Sequence, residues 1–358
     1  MYSTFRSIML PLFVSIVLSL LLVGCGTTNT PTTTTASTPS DNTNTHSYTS
    51  ASGAQNVKVF VEPDAGDAVI VDAIRSAKKS VLLEMYLLTD TKIIRALEEA
   101  AHHNVTVRVM LETHPYGSGS VSPTETLDKL KAAGVQAQST SPNFSLTHEK
   151  GMVIDESTAY IMTSNFTLSA LGVSKTTQNR EYGIIDSNAQ DVRTVIAIFN
   201  SDWNHAYMQQ VDNPNLVVSP LNSRTVFLAL INSAHRSLAV EAEEMQDSEV
   251  EDALVNAARR GVQVQVILPV PGNGSSDSNN EGISTIRQGR VQVKEDPRLY
   301  MHAKIFIVDG QKAFVGSENI STASLNRNRE LGIVVLDQSV LTTLSQTFQQ
   351  DWSDSHNT

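Results

Sequence analysis

Ser80-Val-Leu-Leu-Glu84 and Ser237-Leu-Ala-Val-Glu241 stand 157 residues apart in a chain of 358. The same offset carries Ala100-Ala101-His-His-Asn104-Val105-Thr-Val107 onto Ala257-Ala258-Arg-Arg-Gly261-Val262-Gln-Val264. Further along, His148-Glu-Lys150 matches His302-Ala-Lys304 at an offset of 154. Asn179-Arg-Glu181-Tyr-Gly183-Ile184 matches Asn328-Arg-Glu330-Leu-Gly332-Ile333 at 149. Phe199-x-x-Asp202-Trp203 and Phe348-x-x-Asp351-Trp352 share that last offset and contain both tryptophans of the chain. Blocks recurring in one order with so little drift make the chain a tandem duplication of a unit of about 150 residues.

Each unit alternates helix and strand. A helix with apolar Val69, Val71 and Ile74 leads to an apolar strand over Ser80–Leu88, then helix Thr91–His103 and strand Val105–Leu111. The second unit repeats this with helix Ser248–Arg260 and strand Val262–Leu268. Near-continuous apolar strands between helices predict an α/β fold of two similar lobes, residues 56–212 and 213–358, each a largely parallel sheet covered on both faces. Val192, Val195, Ile196, Phe199 and Trp203, like Leu341, Leu344, Phe348 and Trp352, fall at helical spacing, so the tryptophans belong to the core.

The N-terminus reads differently. Arg6 precedes a sixteen-residue apolar run from Ile8 to Val23, shorter than the roughly 20 residues that span a bilayer. It ends Leu22-Val23-Gly24-Cys25, which resembles the lipobox of bacterial lipoproteins. Residues 1–24 are therefore expected to be a removable signal, and Cys25, the chain's one cysteine, the lipidated residue. Thr-, Ser- and Asn-rich residues 26–55 are too polar to offset their ordering entropy and read as a tether. This implies an exported protein anchored to a bacterial membrane. A single cysteine excludes internal disulfides and multi-thiolate metal sites. With 26 Lys+Arg against 37 Asp+Glu, the net charge of −11 speaks against a long basic surface tracking nucleic acid.

The chemistry lies in a doubled pattern, His148-x-Lys150-x-x-x-x-Asp155 and His302-x-Lys304-x-x-x-x-Asp309. Residues two apart on a strand face one way, so each His projects with its Lys. Ten residues past each aspartate is an asparagine, Asn165 or Asn319, with a hydroxyl two before it, Thr163 or Ser317.

On these motifs the sequence resembles the phospholipase D superfamily over about residues 57–355. The resemblance implies two lobes related by a pseudo-two-fold axis, one shared site, and phosphodiester cleavage through a covalent phosphohistidine with neither metal nor cofactor. The residue types suit that reaction: one neutral histidine to attack phosphorus, the other to protonate the leaving oxygen, and two lysines to cover negative charge on the phosphoryl oxygens. It implies His148 as nucleophile and His302 as general acid and base, a choice that the near-symmetry of the motifs does not itself make. Lys150, Lys304, Asn165 and Asn319, with Thr163 and Ser317, are expected to bind the phosphate. Glu181 and Glu330 are expected to orient the histidines. Asp155 and Asp309, though part of the signature, are expected to hold turns. Met162-Thr163 departs from the Gly316-Ser317 of the second lobe, and Met162 is expected to pack in the core.

The remaining seven histidines neither recur between lobes nor show metal-ligand spacing. Glu84 and Glu241 sit at matching places on apolar strands, where each requires a cationic partner or a place in the site. The acidic run Glu241-Ala-Glu243-Glu244 reads as a solvated face. Loops Thr113–Pro123 and Val270–Gly282 leave equivalent strands at their C-terminal ends, where α/β sheets bind ligands, and His114 and Tyr116 are candidates to touch a leaving group. The expected reaction is phospholipase D-type hydrolysis of a phospholipid head group. The alternatives are a DNA phosphodiesterase or a phosphatidyl transferase. One chain supplies both half-sites, so a monomer suffices.

Overall fold

The computed structural model describes residues 53–116, 121–272 and 277–357. The signal, Cys25 and nearly all of the tether lie outside these residues, as do the central parts of the two loops. Lobe 1 runs β1 (Lys58–Glu62), α1 (Ala68–Ser76), β2 (Ser80–Met85), α2 (Thr91–His102), β3 (Thr106–Leu111), α3 (Pro123–Ala132), β4 (Gln136–Ser139), β5 (Lys150–Ile154), β6 (Thr158–Met162), β7 (Asn179–Asp186) and α4 (Ala189–Trp203). Lobe 2 runs β8 (Leu216–Ser219), α5 (Ser223–Asn232), β9 (Ser237–Ala242), β10 (Met245–Gln246), α6 (Ser248–Arg259), β11 (Gln263–Pro269), α7 (Asn280–Gln288), β12 (Gln292–Asp296), β13 (Tyr300–Met301), β14 (Lys304–Val308), β15 (Lys312–Gly316), β16 (Ile320–Ser321), α8 (Thr322–Asn326), β17 (Glu330–Val335), α9 (Gln338–Asp354) and β18 (His356–Asn357). Among the described residues no helix is long and apolar enough to cross a membrane.

The elements form where local chemistry asks for them. In α2, Ile93, Ile94, Leu97 and Ala100 bury one stripe, and the Asp90 carboxylate accepts the free N–H groups of Lys92 and Ile93 at 2.8 and 3.0 Å. Asp247 caps α6 in the same way. The duplication and the α/β class hold, but strand direction is mixed. Strand order is β1-β7-β6-β5-β2-β3-β4 in one sheet and β18-β12-β11-β9-β14-β15-β17-β8 in the other. β13 adds a short parallel pairing to β7, and along these orders only β2-β3-β4 and β9-β11-β12 are parallel. They are the βαβ units read from the periodicity. The motif strands β5 and β14 instead enter antiparallel and turn back through tight hairpins to β6 and β15. A buried strand is apolar whichever way it runs, so hydropathy alone did not expose the reversal.

Helices α1 and α2 cover one face of the first sheet and α5 and α6 the equivalent face of the second. The opposite faces share a core that includes Ile161, Ile184, Val315 and Ile333, together with α4 and α9. Trp203 and Trp352 pack at its margin, stacked on Phe199 and Phe348 and covered by Arg108 and Lys294. Met162 is fully buried in the lobe 1 core, as expected.

Two crossed ion pairs run between the lobes. Arg329 of lobe 2 grips Asp202 of lobe 1 through two hydrogen bonds of 2.7 and 3.0 Å. Arg180 of lobe 1 grips Asp351 of lobe 2 at 2.6 and 2.8 Å. Each guanidinium also donates to a carbonyl, Ser219 or Glu62, positions that are again 157 apart. Arg329 is 1 % exposed and Asp202 is fully buried, so removing one partner strands the other charge. Arg329→Met is expected to destabilise the chain by about 3–5 kcal/mol. Asp202→Leu added to it should recover most of that loss. Arg75→Ala, which breaks the exposed pair with Glu99, should change stability by less than about 1 kcal/mol. Thermal unfolding of the four proteins checks the order.

Candidate active site

β7 begins at Asn179 of the repeated Asn-Arg-Glu, and β17 at its glutamate, Glu330, with Arg329 extended just before it. Successive strand residues face opposite sides, so the arginine turns towards the partner lobe's aspartate while asparagine and glutamate share the other face. Asn179 accordingly donates to Glu181 at 3.0 Å, and Asn328 to Glu330 at 3.5 Å. Two short parallel pairings then cross between lobes. Thr147 lies opposite Arg329, and Met301 lies opposite Arg180. Each brings the histidine that follows beside the other lobe's glutamate.

The histidine–glutamate contacts are therefore exchanged. His148 Nδ1 lies 3.0 Å from Glu330 Oε2, and His302 Nδ1 lies 2.7 Å from Glu181 Oε1. The second contact is close but not aligned as a hydrogen bond. Sequence order points each glutamate to its own lobe's histidine, and the fold crosses them. Thr163 Oγ1 donates to Glu181 at 2.6 Å, and Ser317 Oγ to Glu330 at 2.7 Å. Each hydroxyl also accepts a backbone N–H, from Tyr182 or Leu331, so both are engaged in holding the glutamates and not in the phosphate contact expected of them.

His148, His302, Asn165 and Asn319 line one cavity of about 600 Å³. The two asparagines each present a side-chain oxygen with no protein partner. Lys150 and Lys304 lie behind the histidines, each donating to the carbonyl of its own histidine at 2.6 Å. Asp155 and Asp309 are elsewhere. Each follows its motif strand in a left-handed turn, with φ of 52° and 55°. Their carboxylates accept the backbone N–H groups of residues 78–80 and 235–237. Partial burial opposes ionisation there, but those three donors outweigh it and hold both carboxyls below their usual range. These aspartates anchor turns and take no direct part in the site.

Under their pseudosymmetry the two half-sites are electrically unlike. The offset of 157 sets Tyr86 against Glu243. The Tyr86 ring lies edge-on to His148, centroids 4.6 Å apart, and 5.0 Å from Lys150 Nζ. Burial pushes His148 below its ordinary value, against the opposing pull of Glu330, so its ring is neutral at pH 7. Burial also pushes the Lys150 ammonium down to about 7. In lobe 2, Glu243 Oε2 lies 2.9 Å from Lys304 Nζ and 3.3 Å from His302 Nε2, placing carboxylates at both nitrogens of that ring. The acidic run is thus no solvated face. Glu243 and Glu244 line the cavity, and the repeat offset was the signal that could have found Glu243.

Glu84 and Glu241 are outside the site. Glu241 accepts from Tyr182 at 2.7 Å, and Glu84 lies near Glu149, Asp202 and Arg329. Burial, then the neighbouring carboxylates, push both far above the usual range, so each keeps its proton. Glu84, Glu149 and Asp202 are the one carboxylate cluster among the described residues tight enough for a cation, but Arg329 already neutralises Asp202. Tyr116 lines the cavity and donates its backbone N–H to the Tyr86 hydroxyl at 2.6 Å. His114 is exposed, beside Glu112 and Thr113.

Known proteins share this architecture. The chain is 24 % identical to a cardiolipin synthase of Halalkalibacterium halodurans, over 84 % of this chain and 66 % of that protein, a little under two thirds of its length. The structure of phosphatidylserine synthase from Haemophilus influenzae Rd KW20 superposes with a TM-score of 0.63 at 14 % identity, covering 86 % of this chain and 88 % of that one. Polyphosphate kinase from Porphyromonas gingivalis gives the same TM-score, 0.63, at 17 % identity, over 82 % of this chain and 46 % of the kinase. At such identities the likeness is one of fold. The family model described as "Cardiolipin synthase, PLD-like domain" matches residues 70–203 and again 227–352, one copy in each lobe. With the doubled motif gathered around one cavity, the chain belongs to the phospholipase D superfamily.

Proposed function

We propose that the chain transfers a phosphatidyl group from a phospholipid through a covalent phosphohistidine, to an alcohol or to water. The observation that carries this reading is the convergence of both His–Lys pairs on one cavity, each imidazole turned by a carboxylate from the opposite lobe. With Nδ1 engaged by Glu330, His148 presents Nε2 to phosphorus. As the P–N bond forms, the bond to the head-group oxygen breaks and His302 gives that oxygen its proton. In the second half, His302 takes a proton from water or an acceptor alcohol, whose oxygen displaces His148 from phosphorus. The lysines and asparagines cover the equatorial oxygens throughout. A neutral His148 beside Tyr86 suits the nucleophile, and a His302 set between two carboxylates suits the proton carrier. The cardiolipin synthase relatives favour transfer over the hydrolysis expected from the motif alone. We also propose that a lipid on Cys25 keeps the enzyme at its substrate membrane. Cys25→Ser should then move the protein from the membrane fraction to the soluble fraction of producing cells.

The full chain in detergent, with EDTA, should convert phosphatidylglycerol or phosphatidylcholine vesicles to phosphatidate, or to a transfer product when glycerol or ethanol is added, and should leave plasmid DNA uncut. DNA nicking without lipid turnover would reverse the substrate assignment. His148→Ala and His302→Ala should each lower lipid turnover by at least about 10³-fold. An activated p-nitrophenyl diester separates their roles, because its leaving group needs no proton. His302→Ala should still release one burst of p-nitrophenol, whereas His148→Ala should release none.

The pH dependence follows from the free site. A His148 held below 6.5 must lose its proton before attack, so kcat/KM should fall only as pH drops below that value. Glu330 raises this histidine, so Glu330→Gln should move the acid limb to still lower pH. Lys150, at about 7 in the free enzyme, sets the alkaline limb of kcat/KM. Bound phosphate holds its charge, so the same limb in kcat should lie at higher pH. Rate profiles from pH 5 to 9 check all three shifts.

A further inference from the structure

The carboxylate of Glu243 stands among the groups lobe 2 would offer a phosphoryl oxygen. Its Oε2 lies 2.9 Å from Lys304 Nζ, 3.3 Å from His302 Nε2 and 3.4 Å from Asn319 Nδ2. Its Oε1 accepts from the Tyr300 hydroxyl at 3.0 Å, which fixes the carboxylate in that place. The side chain is 18 % exposed and borders the cavity, so it has space into which to withdraw. Among the described residues lobe 1 has no such occupant. Its matching residue is Tyr86, a neutral ring.

We propose that Glu243 is a resident anion that occupies half of the phosphoryl site in the free enzyme and gives way only to a diester seated across both lobes, so that it sets specificity against inorganic phosphate and other small anions. The inference rests on the reading of this cavity as a phosphoryl site. Beyond the lobe 1 contacts of Lys150 and Asn165, a free phosphate gains only what it takes from Glu243. A phospholipid also brings the binding of its head group and glycerol backbone, which can be spent on displacing the carboxylate. The same internal anion matches the charge of the Lys304 ammonium while the site is free of substrate. Close charge pairs left unmatched in such a buried place would be costly.

The experiment is titration calorimetry of the full chain in detergent with inorganic phosphate at pH 7.5, comparing wild type, Glu243→Gln and Glu243→Ala. The glutamine keeps the shape and drops the charge, and the alanine also vacates the space. Thermal unfolding of each variant shows that the fold persists. Both variants should bind phosphate at least tenfold more tightly than wild type. Measurable binding that is equal or weaker in both variants overturns the resident anion while leaving the phosphoryl site intact. If no protein, variant or wild type, binds phosphate, the inference falls together with the functional reading on which it rests.

Discussion

The site depends on carboxylates that cross from one lobe to the other. Arg329 and Arg180 each hold the partner lobe's aspartate in a buried two-point grip, and from the same tripeptides Glu330 and Glu181 reach the partner lobe's histidine. Strand alternation couples the two events. A tripeptide that sends its arginine down to a buried aspartate sends its glutamate up to the site. Docking of the lobes and orientation of the imidazoles are consequently one structural event, and neither lobe holds a finished half-site alone. The duplicated Phe-x-x-Asp-Trp block has its explanation here. Its aspartate is the receptor for the other lobe's arginine, and its tryptophan seals the edge of the shared core.

This arrangement keeps many ionisable groups from water. Lys150, Glu181 and Glu330 are fully buried, and Glu84 and Glu241 nearly or wholly so. Glu84 and Glu241 avoid the cost by keeping a proton, which makes them polar but uncharged parts of the core. The others remain useful because each is matched across the interface or held ready for an anion. Burial pushes Lys150 down to about 7, so the ammonium that would meet the phosphate is only partly charged until the phosphate arrives. Buried charge of this kind weakens the case for stability as the reason for these residues and strengthens the case for chemistry.

The two half-sites share a backbone plan and differ in one decisive side chain. Tyr86 leaves its histidine and lysine beside a neutral ring, while Glu243 places a carboxylate on theirs. A symmetric constellation would give both imidazoles one character, whereas a nucleophile and a proton carrier need opposite ones. In the proposed reaction, local charge and not backbone geometry separates the roles that the duplicated motif leaves equivalent.

Much of this was legible in the chain itself. Repeat offsets declared two lobes, helical and strand periods located α2, β3, α6 and β11, and the His-x-Lys spacing named the groups that line the cavity or lie just behind it. The direction of β5 and β14 was not legible, because hydropathy reports burial and not polarity of pairing. Nor was the task of Thr163 and Ser317, since a hydroxyl beside a phosphate and a hydroxyl beneath a glutamate look alike in sequence. The exchange of Glu181 and Glu330 between histidines, the grip of Arg180 and Arg329, and the entry of Glu243 into the site arise from contacts between residues more than fifty positions apart. Sequence by itself determined the duplicated α/β plan and the side chains that gather at the cavity, because both are written in short-range spacing. Only the tertiary structure decided which carboxylate serves which histidine and which half-site carries the negative charge, because those depend on how two sheets dock, and docking is set by shape and charge across an interface that no local pattern encodes.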